Sequence, residues 1–131
     1  MANRPHFASI PSVSAVPESG NNTETVIATL VGVIPEVASQ AIKLSFTAFL
    51  TLGASSTGGT FRIRRTNLTG TLVGVAMPVT ALATAAGATE CSGAQEDVPG
   101  EGNFTYVLTY QGAGETGTAS VTTSEFTARW D

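Results

Sequence analysis

In the stretch Ala41-Ile42-Lys43-Leu44-Ser45-Phe46-Thr47-Ala48-Phe49-Leu50-Thr51-Leu52, apolar residues occupy every second position: Ile42, Leu44, Phe46, Ala48 and Leu50. Lys43, Ser45 and Thr47 lie between them. A period of two is that of a β-strand, whose successive side chains point to opposite faces. The stretch therefore predicts a strand with one face in a core and the other in water.

The same period recurs on both sides of it. Phe104, Tyr106, Leu108 and Tyr110 predict one face of a later strand, with Thr105, Val107 and Thr109 opposite. Thr118 to Trp130 predicts the last strand, with Phe126, Ala128 and Trp130 inward and Thr123, Glu125, Thr127 and Arg129 outward. Thr60 to Thr66 alternates Phe61 and Ile63 with Arg62 and Arg64, and Asn67 to Gly70 supplies a turn. Thr25 to Val33 is apolar on both faces, which predicts a central or covered strand.

Thr71 to Met77 and Val79 to Thr84 read as two strands broken by Pro78, a residue tolerated only at an edge or a strand start. Ala81 to Ala88 has helical propensity, but its Thr84 and the flanking Pro78 and Gly87 favour strand. Glu90 to Ala94 adds a short strand before a polar loop, Gln95 to Asn103. About eight strands at intervals of 8 to 15 residues predict an all-β fold, an antiparallel two-sheet jelly roll or β-sandwich.

Residues 1–20 are read as an extended N-terminal arm and residues 21–131 as a single sandwich domain, since 131 residues suit one core. Pro5, Pro11 and Pro17 oppose helix in the arm. Phe7, Ile10, Val13 and Val16 recur every three residues, which in a polyproline-like backbone sets them on one side as a partner-binding strip. The arm is expected to stay outside the sandwich and to order against a neighbouring subunit, the alternative being a loose terminus.

Charged residues make up only 12% of the chain, against roughly 25% in an average soluble domain. Such a surface predicts cover by partners, with a neutral monomer as the alternative. A net charge of −4 and the lack of a long basic run argue against nucleic acid as a partner. No apolar stretch approaches a bilayer span, and Met1 to Ile10 lacks the apolar centre of a secretion signal. Synthesis in a cytoplasm without membrane insertion is the expectation. The sequons at Asn21, Asn67 and Asn103 then carry little weight.

Catalytic chemistry finds little to stand on. The single histidine, His6, sits in the arm, and the single cysteine, Cys91, reads as a small buried hydrophobe. Gly112, Gly114 and Gly117 match G-x-G-x-x-G, but they lead into a strand and no acidic residue follows about twenty positions on, so they read as a hairpin loop. Glu96, Asp97 and Glu101 lack the spacing of a calcium loop and read as a solvated acidic loop. No cofactor, metal or catalytic residue is expected. Arg62 and Arg64, with Arg65, form a cationic row that either clamps carboxylates of a partner or pairs with Glu on a neighbouring strand. A carbohydrate-binding module would need exposed aromatics, whereas Tyr106, Tyr110 and Trp130 fall on core faces.

The segment Gly59-Thr60-Phe61-Arg62-Ile63-Arg64-Arg65, with Asn67 and Gly70, the Ala-rich strands, Asp97-Val98-Pro99-Gly100 and Asn103-Phe104-Thr105-Tyr106-Val107-Leu108-Thr109, resembles small jelly-roll proteins of phage and prophage structural genes. Similar trimeric modules occur in phage head-decoration proteins, in tail fibre tips and in the tumour-necrosis-factor and C1q-like group. The resemblance spans roughly Glu24 to Asp131. It implies a structural virion protein that forms a homotrimer, with capsid decoration (a cement protein on the major capsid protein) ahead of a tail fibre or spike tip. It carries over no site residue.

Overall fold

A computed structural model describes residues 6–10, 16–17, 23–51, 58–80, 88–112 and 120–130. The described elements are β1 (His6–Ile10), β2 (Val16–Pro17), β3 (Thr25–Val33), β4 (Ile42–Thr51), β5 (Gly58–Arg65), β6 (Met77–Thr80), β7 (Ala88–Asp97), β8 (Phe104–Gly112) and β9 (Ser120–Trp130). One sheet has the order β1-β9-β4-β7, with β2 also paired to β9, and the other has the order β3-β8-β5-β6. All pairings are antiparallel. With β1 and β2 sharing one position along β9, this is an eight-position jelly roll: β5 to β6 stays within a sheet and each other connection crosses the sandwich.

β4 behaves as its pattern requires. Ile42, Leu44, Phe46, Ala48 and Leu50 are buried, while Lys43, Ser45 and Phe49 are exposed. They meet Phe61 and Ile63 of β5 and Tyr106, Leu108 and Tyr110 of β8 in one core. The ring of Phe61 bridges the sheets, with centroids 4.9 Å from Phe46 and 5.0 Å from Tyr110. Two glycines make room for these rings. A Cβ at Gly59 would run into the Tyr110 ring, and one at Gly93 would stand 2.8 Å from the Phe46 ring and 2.6 Å from Met77 Sδ.

Four expectations need correction. First, the stretch read as an arm outside the sandwich contributes two pieces of strand. β1 pairs with β9 from His6 opposite Trp130 to Ile10 opposite Phe126, and β2 pairs Val16 with Val121. The prolines do not forbid this: Pro5 and Pro11 flank β1 in sequence, and Pro17 sits on an edge position, where a missing N–H is tolerated.

Second, β3 is an edge strand rather than a central one. Its register shifts between Val26 and Ala28 and again between Leu30 and Val33, where Gly32 adopts a φ of 79°. These irregularities bury Ile27, Ala28, Leu30 and Val33 and leave Val31 exposed. A bulge re-aims the residues after it. Of the apolar residues on the two faces of β3, one sandwich thus covers Ile27, Ala28, Leu30 and Val33 and leaves Val31 uncovered.

Third, residues 71–76 form no strand. They hold a single bridge, Leu72 to Arg64, and β6 then runs through Pro78 at the sheet edge. Fourth, β7 extends to Asp97, so Gln95, Glu96 and Asp97 pair with Leu44, Lys43 and Ile42 instead of forming a loop. Residues 81–87, for which helix and strand competed, lie outside the described residues.

Candidate interaction surface

β5 turns Phe61 and Ile63 into the core, and the same alternation sets Arg62 and Arg64 on the outer face of its sheet. There they meet Glu24, just before β3. Arg64 grips this carboxylate bidentately, with Nε 2.6 Å from Oε2 and Nη2 2.9 Å from Oε1. The Thr109 hydroxyl donates to Oε2 at 2.7 Å, and Arg62 Nη1 stands 3.4 Å from Oε1. The hydrogen bond from Arg64 is the largest influence on Glu24. Against the opposing effect of burial, and with help from Thr109 and the charges of both arginines, it lowers the carboxyl's pKa from its ordinary value.

The two arginines differ in what else they hold. Arg64 Nη1 donates to the carbonyl of Gly70 at 3.1 Å, so its guanidinium pins the turn after β5 as well as Glu24. Arg62 Nη1 donates to Gln111 Oε1 at 2.7 Å. Among the described residues, two cations here share one carboxylate. Val107 and Thr109, on the same outer face, are buried opposite Arg64 and Arg62 in the register. Hydrocarbon stems of arginine can cover such positions while the charged heads stay wet.

Arg65 serves a different end of the strand. Its Nε and Nη2 reach Asp97 at 3.0 and 2.7 Å, and its guanidinium lies 5.9 Å from the centre of the Phe104 ring. Tyr106 donates its hydroxyl to the same carboxylate at 2.7 Å. Burial first, then this bond, holds the Tyr106 phenol well above the usual range. Asp97 belongs to one sheet and Arg65 and Tyr106 to the other, so the group fastens the sandwich at one end.

That end also gathers exposed apolar side chains. Val33 opposite Phe104, Arg65 opposite Tyr106, Ile42 opposite Asp97 and His6 opposite Trp130 place the connections 34–41, 66–76 and 98–103 together. Ile34, Val37, Leu68, Val75 and Val98 are exposed on them. The loops are tied by their own hydrogen bonds: Glu36 N to Gln40 Oε1 at 2.6 Å, Thr69 N to Asn67 Oδ1 at 3.0 Å, and Trp130 Nε1 to the Ile34 carbonyl at 3.0 Å. Fixed loops carrying apolar groups suit a docking surface better than a mobile rim does.

Of the residues proposed from sequence for partner binding, Arg62 and Arg64 come together with a carboxylate of the chain itself. Phe7 and Ile10 lie in β1 and Val16 in β2, whose side chains are outside the description, and Val13 is outside the described residues. Cys91 is buried, as expected, and burial raises its thiol pKa. Gly112 closes β8, while Gly114 and Gly117 lie outside the described residues. Of the acidic group, Asp97 is taken up by Arg65 and Tyr106 and Glu96 lies in β7. No three metal-ligating side chains come together among the described residues. Tyr106, Tyr110 and Trp130 are buried, so they offer no sugar-stacking platform.

Sequence reasoning missed Glu24, Thr109 and Gln111 because they lie 38 to 85 residues from the partners they meet. The available signal was a row of three arginines in a chain poor in charge, which demanded a carboxylate from another strand.

No family model matches the chain, and no curated protein sequence matches it. Among solved structures it is similar to a chain in the structure of infectious bursal disease virus Gx strain, with a TM-score of 0.56 and 11% identity, over 98% of this chain and 32% of that one. At that identity the likeness speaks to the fold alone. A looser likeness, with a TM-score of 0.39 and 14% identity, covers 94% of this chain and 19% of the enzymatically active domain of tailspike protein 4 of bacteriophage CBA120, and it carries no argument. The chain spans about a third of the first of these chains and a fifth of the second.

Proposed function

We propose that the chain is a structural component of a virus or phage particle, a capsid decoration protein that assembles as a small homo-oligomer, most simply a trimer, on the major capsid protein. The observation that carries this reading is the jelly roll itself: its strand order accounts for every described element, and a virus structure contains a chain with a similar fold over nearly the whole length. The described polar clusters support it, because they are spent on holding strands and loops together. Glu24, Arg62 and Arg64 fix the β3 entry to β5, and Asp97, Arg65 and Tyr106 join the sheets. An interaction protein needs such rigid surfaces, and the apolar loop end supplies one.

An antibody raised against the purified chain tests this on particles from the host that encodes it. Gold label on particle heads is the expected result. Label confined to tail tips would move the assignment to a fibre or spike, and particles that carry no label would reject a virion role.

A further inference from the structure

We infer that the outer face of the β9-β4-β7 part of its sheet is a two-fold interface with a second copy of this chain, packed face to face, with Arg129 of each copy on Glu125 of the other. The inference goes beyond the virion reading, since this contact pairs copies whether or not they also form a trimer. Together with a three-fold contact it would give a hexamer.

This face has charged rows at two levels and an uncharged row between them. Arg129, Lys43 and Glu96 stand side by side on β9, β4 and β7. The next outward row is Thr127, Ser45 and Ala94, and the one after it is Glu125, Thr47 and Ser92. All of these residues are exposed or partly exposed. On the other sheet Arg62 and Arg64 flank the central strand, whereas the middle row here is made of small side chains. Ser45 Oγ lies 2.9 Å from Thr127 Oγ1, so the two hydroxyls already partner each other and lose little when water is excluded. A shallow depression of about 370 Å³ lies among Ser45, Thr47, Ser92 and Glu125, and another of about 380 Å³ among Lys43, Ser45, Ala94 and Glu96.

The charges select both the partner and the register. The cations Arg129 and Lys43 lie on one side of the Thr127–Ser45 row and the carboxylate of Glu125 on the other, about 13 Å along the strands. A two-fold axis that follows this row, across the strands, lays β9 on β9 and β4 on β4 in opposite directions. It sets Arg129 of each copy over Glu125 of the other, and Lys43 over Thr47 beside the same carboxylate. Glu96 falls over Ser92, and each depression lies over its counterpart. Phe49, 38% exposed, comes over Ala41 next to Val98, 53% exposed. An axis one row further, at Thr47, would oppose Glu125 to Glu125, and one at Lys43 would oppose Arg129 to Arg129. Complementary charges fix a register and like charges exclude its neighbours, and an isologous contact repeats each pair twice.

Charge exchange tests the contact. Arg129→Glu sets like charges against Glu125 of the second copy, twice per pair, and Glu125→Arg does the same against Arg129. When the two variants are mixed in equal amounts, both contacts of a mixed pair join opposite charges again. Light scattering at high micromolar concentration should report an even-numbered unaltered chain, a dimer or a hexamer. Each single variant should have half that mass, and the mixture should regain the full mass. An unaltered chain that is a monomer or a trimer would overturn the inference, as would single variants that keep the full mass. A mixture that stays at half mass, with both variants folded by circular dichroism, would overturn it too and point to a different protein as the occupant of this face. Should either charge variant fail to fold, Ser45→Arg decides: it leaves both charged rows in place and sets a bulky cation against its own copy on the axis, so it should halve the mass, and a Ser45→Arg chain of full mass rejects the interface.

Discussion

Tyr106 on β8 donates its hydroxyl to Asp97 on β7, 2.7 Å away, so the two sheets are joined by a side-chain bond at the end where Arg65 also meets Asp97. Removing the hydroxyl with Tyr106→Phe keeps the ring in the core and leaves Asp97 to Arg65 alone. A hydrogen bond to a charged group contributes about 1.5 to 3 kcal/mol. Because Asp97 keeps its arginine, a loss of about 1 to 2 kcal/mol is expected in urea unfolding. No change in the midpoint would mean that this bond does not fasten the sheets.

The Glu24 cluster gives a pH dependence. Its folded pKa lies below the ordinary 4.5, so its contribution is complete above that value and fades as pH falls below it toward the lowered one. Glu24→Gln is expected to lower stability by about 1 kcal/mol at neutral pH, a modest figure because the pair is partly exposed. The difference between variant and wild type should narrow as the solution is acidified below 4.5. Thermal melts at a series of pH values check the sign, and a difference that widens on acidification would contradict the assignment.

Much of this fold is legible in period alone. β4, β5 and β9 show the core and solvent faces that their alternation predicts, at the positions described. β8 does so only on its inner side: Val107 and Thr109 are buried too, since the strand is central and Arg62 and Arg64 flank it. What period does not carry is the long-range pairing. The eight sheet positions agree with the expected number through two compensating differences. Residues 71–76 hold no strand, and β1 takes a position that three prolines had argued against. Propensity describes residues one at a time, whereas β1 exists because β9 would otherwise have an open edge. The Glu24 cluster was half legible: the arginine row was plain, and its partner was not.

Packing at Gly93 provides a core test. A methyl group there meets the Phe46 ring and Met77 Sδ, and overpacking typically costs about 1 to 3 kcal/mol. Gly93→Ala is expected to fall in that range, and Phe46→Ala to lose about 3 to 5 kcal/mol through lost burial. The combination Gly93→Ala/Phe46→Ala should be milder than the sum, because the ring that the new methyl meets is gone. Simple additivity in guanidinium unfolding would show that the two sites do not touch.

The last expectation concerns the N-terminal segment. If residues 1–17 were only a loose arm, their removal would leave thermal stability nearly unchanged. In the jelly roll His6–Ile10 and Val16–Pro17 pair along the edge of β9, whose Val121, Phe126, Ala128 and Trp130 belong to the core. Their loss would turn an interior strand into an edge with unpaired N–H and C=O groups, a template for pairing with other chains. Deleting Met1 to Pro17 is therefore expected to lower Tm by about 5 °C or more, given a shift of roughly 4 °C per kcal/mol at this size. It should also make the chain prone to associate through β9. A synthetic peptide of residues 1–17 added in excess should restore much of the loss by occupying the vacated edge, since a ligand that binds the folded state stabilises it by mass action. A peptide with Ala8 replaced by proline removes a backbone donor within β1 and should restore less. A truncated chain that melts like the whole one would return the segment to the status of a loose arm.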